Sequence, residues 1–215
     1  MSGPARPTVV ILDDDPTGTQ TIRDLTVYAR WDEASLAAAL AEKPPAFFLL
    51  TNSRALSGAE TRCLHEALGR TLVAAARAAG QDFLLVSRSD STLRGHFPLE
   101  PETLAEALRA GGMEVSGVLL CPCFFEGRRF TKGGVHYLED QGRLIPVGET
   151  EFARDATFGY RASDLCEWIE ERSEGRVPSG RVARCELSVL RGGRAEALLR
   201  DTESPYVVVD GMEEG

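Results

Sequence analysis

No run of this sequence approaches the roughly 20 apolar residues that a helix needs to cross a bilayer. The first seven residues hold no hydrophobic signal core and lead directly into a strand-like segment, so a cytoplasmic protein is expected. An excess of positive charge is missing as well. Lys and Arg number 24 against 33 Asp and Glu, a formal net charge of -9. An acidic surface repels phosphate backbones and anionic lipid heads, which argues against nucleic acid or a membrane as the main partner. It leaves room for a small anion held by a local arginine cluster. A disulfide framework is also lacking. Cys63, Cys121, Cys123, Cys166 and Cys185 are odd in number and scattered. Cys121 and Cys123 form C-x-C at an apolar strand end without a second Cys/His pair at metal spacing, and are expected to be buried free thiols. There is no internal repeat, no low-complexity stretch and no G-x-x-x-x-G-K-[ST] phosphate loop.

What is present is an ordinary globular balance of 43% apolar and 27% charged residues. A chain of 215 residues can build one good core, and a single domain over 1–215, or one domain plus a small lobe, is expected. Apolar, β-rich runs at 8–12, 47–50, 83–86, 117–120 and 206–209 read as strands, with further strands at 25–29 and 182–187. Helices are expected over 32–42, 101–110, 163–172 and 194–200. Ser57 and Glu60 form a capping box that opens a long helix to Ala79, and Gly80 ends it. The stretch 121–158 is polar and glycine-rich; it reads as irregular, with one or two short strands near Leu144. Strands alternating with helices argue for an α/β fold: a mostly parallel sheet with helices on both faces, Rossmann-like and three-layered. The sequence stops just after a strand, where an α/β protein should add a helix, as if cut from a longer protein.

In open α/β sheets a ligand lies beyond the carboxyl ends of the strands. Three strand ends carry dense polar clusters, at 13–19, 51–54 and 87–95, and a fourth at 122–134 carries Glu126, Arg128, Arg129 and Lys132. All four are expected on one edge. Arg54, Arg88 and Arg94 offer fork-shaped donors suited to a carboxylate or phosphate. Asp14, Asp15 and Asp90 can accept bonds from sugar hydroxyls, and one of them could orient or deprotonate an attacking hydroxyl. Gly18 and Gly95 let backbone approach a ligand closely. The bland alternatives are a capped turn for 13–19 and a helix-entry loop for 51–54. His65 reads as a surface or packing residue, while His96 and His136 are open between ligand contact and structure. Glu126 and Glu149 read as solvated, Trp31 and Trp168 as packing.

The segment Asp14-Asp15-Pro16-Thr17-Gly18 is similar to the Asp-Asp-x-Thr-Gly signature of four-carbon acid sugar kinases. Thr51-Asn52-Ser53-Arg54 resembles their S/T-x-S-R element, and Asp90-Ser91-Thr92-Leu93-Arg94-Gly95 matches their D-S-T-L-R-G segment. Residues 127–136, 150–155 and 158–160 resemble the pieces that follow, in the same order. The resemblance implies the N-terminal, substrate-binding domain of a two-domain kinase that phosphorylates a threonate- or erythronate-like acid on a hydroxyl. It implies ATP and Mg2+ in the full-length enzyme, bound mainly by a C-terminal domain that this chain lacks, and a chain catalytically silent alone. The partners implied are a small anionic sugar acid and that C-terminal domain; a homodimer is compatible with the reading. Ligand contact is assigned to Asp14, Asp15, Arg54, Arg88, Asp90, Ser91, Arg94 and Gly95, with Asp15 as the catalytic, hydroxyl-orienting group and no metal site. Arg88 stands where many members have Lys, and His96 where many have Asn, which alters the ligand-facing donors.

Two other readings remain open. Asp13-x-Asp15-x-Thr17 after an apolar strand also fits the nucleophile pattern of haloacid-dehalogenase-like phosphatases, with Asp13 as nucleophile, Asp15 as acid/base and Lys132 as the lysine; the later acidic pair is its weak point, since the strand at 206–209 ends in Asp210-Gly211. That pattern leaves 90–95 without a role. The third reading is a stand-alone sugar-acid-binding module.

Overall fold

The computed structural model describes residues 6–16, 23–201 and 203–212. The chain divides into two compact units, Met1–Ser89 with Leu99–Val115 and Asp90–Pro98 with Ser116–Gly215. In the first unit, β1 (Thr8–Asp13), β2 (Val27–Tyr28), β3 (Ala46–Leu50) and β4 (Phe83–Arg88) form a parallel sheet in the order β2-β3-β1-β4. Three helices accompany it: α1 (Glu33–Ala41), α2 (Gly58–Ala79) and α3 (Leu99–Ala110). The fold is α/β, as the alternating pattern implies.

Alternate side chains of the strands meet the apolar stripes of the helices. Val10, Leu12, Phe47, Leu49 and Phe83 pack with Leu36, Leu40, Leu68, Leu72, Leu104 and Leu108 in one buried cluster. Each such leucine contributes about 1.5–3 kcal/mol relative to an exposed one. On the opposite face of the edge strand β4, Leu84 and Val86 are exposed. The caps lie where the sequence indicates. Ser57 accepts from the Glu60 amide, the Glu60 side chain accepts from the Ser57 amide, and Gly80 closes α2 in the left-handed region at φ 60°.

The register positions the candidate site. Asp13 lies opposite both Leu50 of β3 and Arg88 of β4. The segments that follow β1, β3 and β4 therefore leave the sheet at one carboxyl edge. The fourth polar strand end does not join them. It follows β5 (Val118–Leu120), which pairs with β10 (Tyr206–Val209) in a separate parallel sheet, order β5-β10-β9, with β9 at Ala183–Cys185.

The second unit also holds an antiparallel sheet over a stretch expected to be largely irregular. β6 (Arg129–Lys132), β7 (Val135–Asp140) and β8 (Arg143–Pro146) form two successive hairpins. Their turns, Gly133-Gly134 and Gln141-Gly142, have positive φ at both central residues, the backbone that matches the twist of paired strands. The Gly-Gly pair between β-prone runs was the available sequence signal. Helix α4 (Leu165–Arg172) starts later than expected because Asp164 caps it, accepting from the amides of Cys166 and Glu167. Trp168, Ile169 and Leu165 bury its apolar face against Tyr160, Val147 and Leu93. Helices α5 (Leu187–Arg191) and α6 (Ala195–Asp201) complete the unit. Among the described residues no helix is long and apolar enough to cross a membrane.

Helices α2 and α3 approach closely at Gly69, where an added Cβ would lie 2.6 Å from Ala107 Cβ. Alanine gains about 1 kcal/mol of helix propensity over glycine, while forcing a methyl into a packed contact costs about 1–3 kcal/mol. We expect Gly69→Ala to lower stability by about 1 kcal/mol in urea unfolding, against the propensity trend. A stabilised variant would show that the helices part at no cost.

Candidate functional site

In the first unit three consecutive carboxylates run on from Asp13, the last residue of β1, and two arginines hold them. Asn52 adopts the left-handed conformation at φ 53°, which asparagine tolerates better than most residues, and turns the chain after β3 into the short helical turn Ser53–Ala55. This aims Arg54 back at β1. Its Nη2 and Nε donate to Asp14 Oδ1 and Oδ2 at 2.6 and 3.0 Å, a bidentate fork, and its Nη1 donates to Asp15 Oδ2 at 3.1 Å. Ser89 Oγ donates to Asp14 Oδ2 at 3.1 Å. Backbone bonds fix the same geometry: the amides of Thr51 and Arg54 donate to the carbonyls of Asp13 and Asp14 at 2.9 and 3.2 Å.

Asp13 is fully buried and pairs with Arg88 Nη1 at 2.8 Å; its Oδ2 meets no donor among the described residues. Burial pushes its carboxyl above the ordinary value and Arg88 opposes the rise only in part. The three carboxylates differ in access. The Asp13 and Asp14 side chains are 0% and 2% exposed and that of Asp15 is 26% exposed, so Asp15 is the one an outside molecule can reach. Thr17 and Gly18 lie outside the described residues.

In the second unit Asp90 organises its own loop. Its carboxylate accepts from the Thr92 amide and hydroxyl at 3.1 and 2.5 Å and from Arg94 Nε at 2.5 Å, and its carbonyl accepts from the Leu93 amide at 2.9 Å. Burial pushes the Asp90 carboxyl up, but the Thr92 bonds and Arg94 together bring it below the usual value. Leu93 is left-handed at φ 66° yet buried, and Gly95 takes φ 148°. The Arg94 guanidinium stacks 4.9 Å from the Phe152 ring centroid and lies 3.9 Å from Asp155. Tyr160 OH donates to the Thr92 carbonyl at 2.6 Å. His136 Nε2 lies 2.8 Å from the Ser91 carbonyl and Nδ1 lies 2.9 Å from the Thr131 hydroxyl. A carbonyl only accepts, so Nε2 carries the proton and Nδ1 accepts from Thr131.

Of the eight residues expected to touch ligand, Asp14, Asp15, Arg54 and Arg88 come together in the first unit, and Asp90, Ser91, Arg94 and Gly95 form one loop of the second. Each arginine expected to face a ligand anion already faces a protein carboxylate. Asp13, Thr92, His136 and Tyr160 complete the two clusters. Thr92 and Tyr160 lay inside motifs already singled out, whereas nothing in the sequence marked their mutual bond.

Several other expectations resolve differently. Cys121 is exposed and Cys123 half-buried, because β5 is an edge strand of its sheet; Cys166 and Cys185 are buried. His96 packs edge-on against Phe158 with ring centroids 4.9 Å apart. The phosphatase pattern finds a nucleophile position, Asp13, with no exposed surface. Asp210 accepts from the amides of Gly133, Gly134 and Leu187, and Lys132 is exposed on β6.

Burial holds the His136 imidazole down at about 4, against an ordinary value of 6.5. Between these values the unfolded chain binds a proton that the folded chain refuses, so stability falls as pH drops from about 6.5 to about 4. His136→Gln should remove about 2–3 kcal/mol of this pH-dependent loss. Urea unfolding of both proteins at pH 7.0 and 4.5 (buffers chosen about that window) checks it; parallel pH slopes would refute it.

A family model described as the sugar-binding N-terminal domain matches residues 9–215. No curated protein sequence matches the chain. Two crystal structures of a Bordetella bronchiseptica protein of the DUF1537 family, a domain-swapped dimer with bound citrate, are similar at 22% and 24% identity. Their TM-scores are 0.63 and 0.66, over 97% and 96% of this chain and 48% and 49% of that one. A Haemophilus influenzae protein of the same family is 15% identical, with a TM-score of 0.62 over 95% of this chain and 48% of that one. At these identities the likeness is one of fold. The chain spans about half the length of these relatives. The family match over nearly the whole chain carries more weight: the chain belongs to the sugar-binding N-terminal domain family, that of the four-carbon acid sugar kinases its motifs resemble.

Proposed function

We propose that this chain is the substrate-binding part of an ATP-dependent kinase that phosphorylates a four-carbon sugar acid, threonate- or erythronate-like, on a hydroxyl. The observation that carries the reading is the graded access of the three carboxylates: Arg54 locks Asp14 in a bidentate fork and leaves Asp15 reachable. An accessible carboxylate beside a guanidinium can accept a hydroxyl proton and point the oxygen at a phosphoryl group. Asp14 sets the position of Arg54. The partly exposed Arg88, in the same unit, then supplies the positive charge that an acid's carboxylate needs. The citrate bound to the Bordetella relative, a small hydroxylated carboxylate, agrees with an acid ligand.

ATP and Mg2+ belong, in this proposal, to a C-terminal domain beyond this chain. Asp14 gives both oxygens to Arg54, which leaves it none for a cation. Among the described residues no cluster of three or more His, Cys, Asp or Glu is placed to hold a metal. The domain-swapped dimer of the Bordetella relative favours self-association of the longer polypeptide.

Two measurements test the reading. Thermal unfolding of the chain against threonate and erythronate isomers, Mg-ATP and phosphate should show stabilisation by one sugar acid, about 2.7 kcal/mol at a hundredfold excess over Kd, and none by Mg-ATP. A response to phosphate with Mg2+ alone would favour the phosphatase. In the two-domain enzyme, Asp15→Asn should lower kcat by about 10²–10⁴-fold with a much smaller change in KM for the acid. An unchanged kcat removes Asp15 from catalysis, and acid binding without any phosphoryl transfer would make the chain a binding module.

A further inference from the structure

Glu100 sits in the first turn of α3 and is 3% exposed. A carboxylate at that depth costs several kcal/mol unless its oxygens are satisfied. The helix start alone does not require burial, since Glu102 in the same turn also supplies negative charge. The partners of Glu100 suggest another reason for its place. Its Oε1 accepts from Ser53 Oγ at 2.5 Å, and its Oε2 accepts from Ser87 Oγ at 3.2 Å. His65 of α2 brings Nε2 to 3.8 Å of Oε1 and donates Nδ1 to the Thr61 carbonyl at 2.8 Å.

Ser53 immediately precedes Arg54, and Ser87 immediately precedes Arg88. One buried carboxylate thus ties down the two residues that precede the two arginines holding Asp13, Asp14 and Asp15. Each tie acts within one peptide unit of its arginine. A shift of Ser53 would move the Arg54 backbone that is bonded to the Asp14 carbonyl.

We infer that Glu100 is a positioning residue: through Ser53 it fixes the Arg54 fork on Asp14 and Asp15, and through Ser87 it fixes Arg88 on Asp13. It touches no substrate. The inference rests on the functional reading above for its consequence, acid binding, while the positioning itself can be read without any ligand.

The test uses the 215-residue chain, labelled with 15N. The Arg54 Nε–H donates to Asp14 and the Arg94 Nε–H to Asp90, so the hydrogen exchange of both can be followed. Glu100→Gln is expected to speed Arg54 Nε–H exchange at least about tenfold and to leave Arg94 unchanged. A threonate or erythronate isomer that binds the wild type should bind this variant at least about tenfold more weakly. A variant that only loses thermal stability, with Arg54 exchange within about twofold of wild type, would overturn the inference and leave Glu100 a structural residue. If Glu100→Gln does not fold, Ser53→Ala decides: faster Arg54 exchange supports the tie, and unchanged exchange overturns it. A wild type that binds no sugar acid would defeat the functional reading, while the exchange result would still decide the role of Glu100.

Discussion

Like charges packed into consecutive residues are the constraint around which the first unit is arranged. Two unit charges about 4 Å apart repel by about 4 kcal/mol at an effective dielectric near 20, and three carboxylates stand in a row from the last residue of β1 onward. Arg54 and Arg88 make that arrangement tolerable by pairing with all three. The surrounding structure places those guanidiniums. Parallel pairing brings Arg88 level with Asp13, the left-handed turn at Asn52 swings Arg54 towards β1, and the capped start of α2 fixes where that turn must end. The arginine fork is therefore a condition for the acidic strand end to exist, whatever ligand it meets.

The second cluster solves a smaller problem by local means. Asp90 closes its own turn with Thr92 and Arg94 and needs no neighbouring strand. What it borrows from the rest of its unit is support underneath: a neutral histidine under Ser91 and a tyrosine hydroxyl under Thr92. Two unlike solutions, a long-range ion-pair lattice and a self-bonded turn, thus lie on consecutive stretches of chain.

The parts legible in the sequence were those with short-range causes. The capping box at Ser57 and Glu60, the αL glycine at Gly80 and the apolar strand of β1 each announce themselves within a few residues. The 90–95 turn was legible for the same reason. The three-stranded antiparallel sheet was not, because Thr131 and His136 face inward as polar residues and blur the alternation by which a strand is recognised. The separate sheet of β5, β9 and β10 was hidden too: a short apolar run does not say which sheet it joins. Pairing of the arginines depends on register and on one backbone dihedral at Asn52, and the role of Glu100 on contacts 47 and 13 residues away in sequence. These are consequences of the assembled fold, beyond any window of composition.

Leu93 carries two demands that no single substitution meets. Its left-handed backbone costs a non-glycine residue about 1–2 kcal/mol, and its buried side chain contributes about 1.5–3 kcal/mol in return. Glycine would relax the backbone and empty the core of the second unit at that point. A larger residue would keep the strain and disturb the packing, and asparagine would ease the backbone but bury a polar group in place of the apolar one. The turn that presents Asp90 and Arg94 is thus pinned by its least reactive member. Sequence change in this turn has to proceed through the polar residues around Leu93, since the leucine itself offers no downhill step.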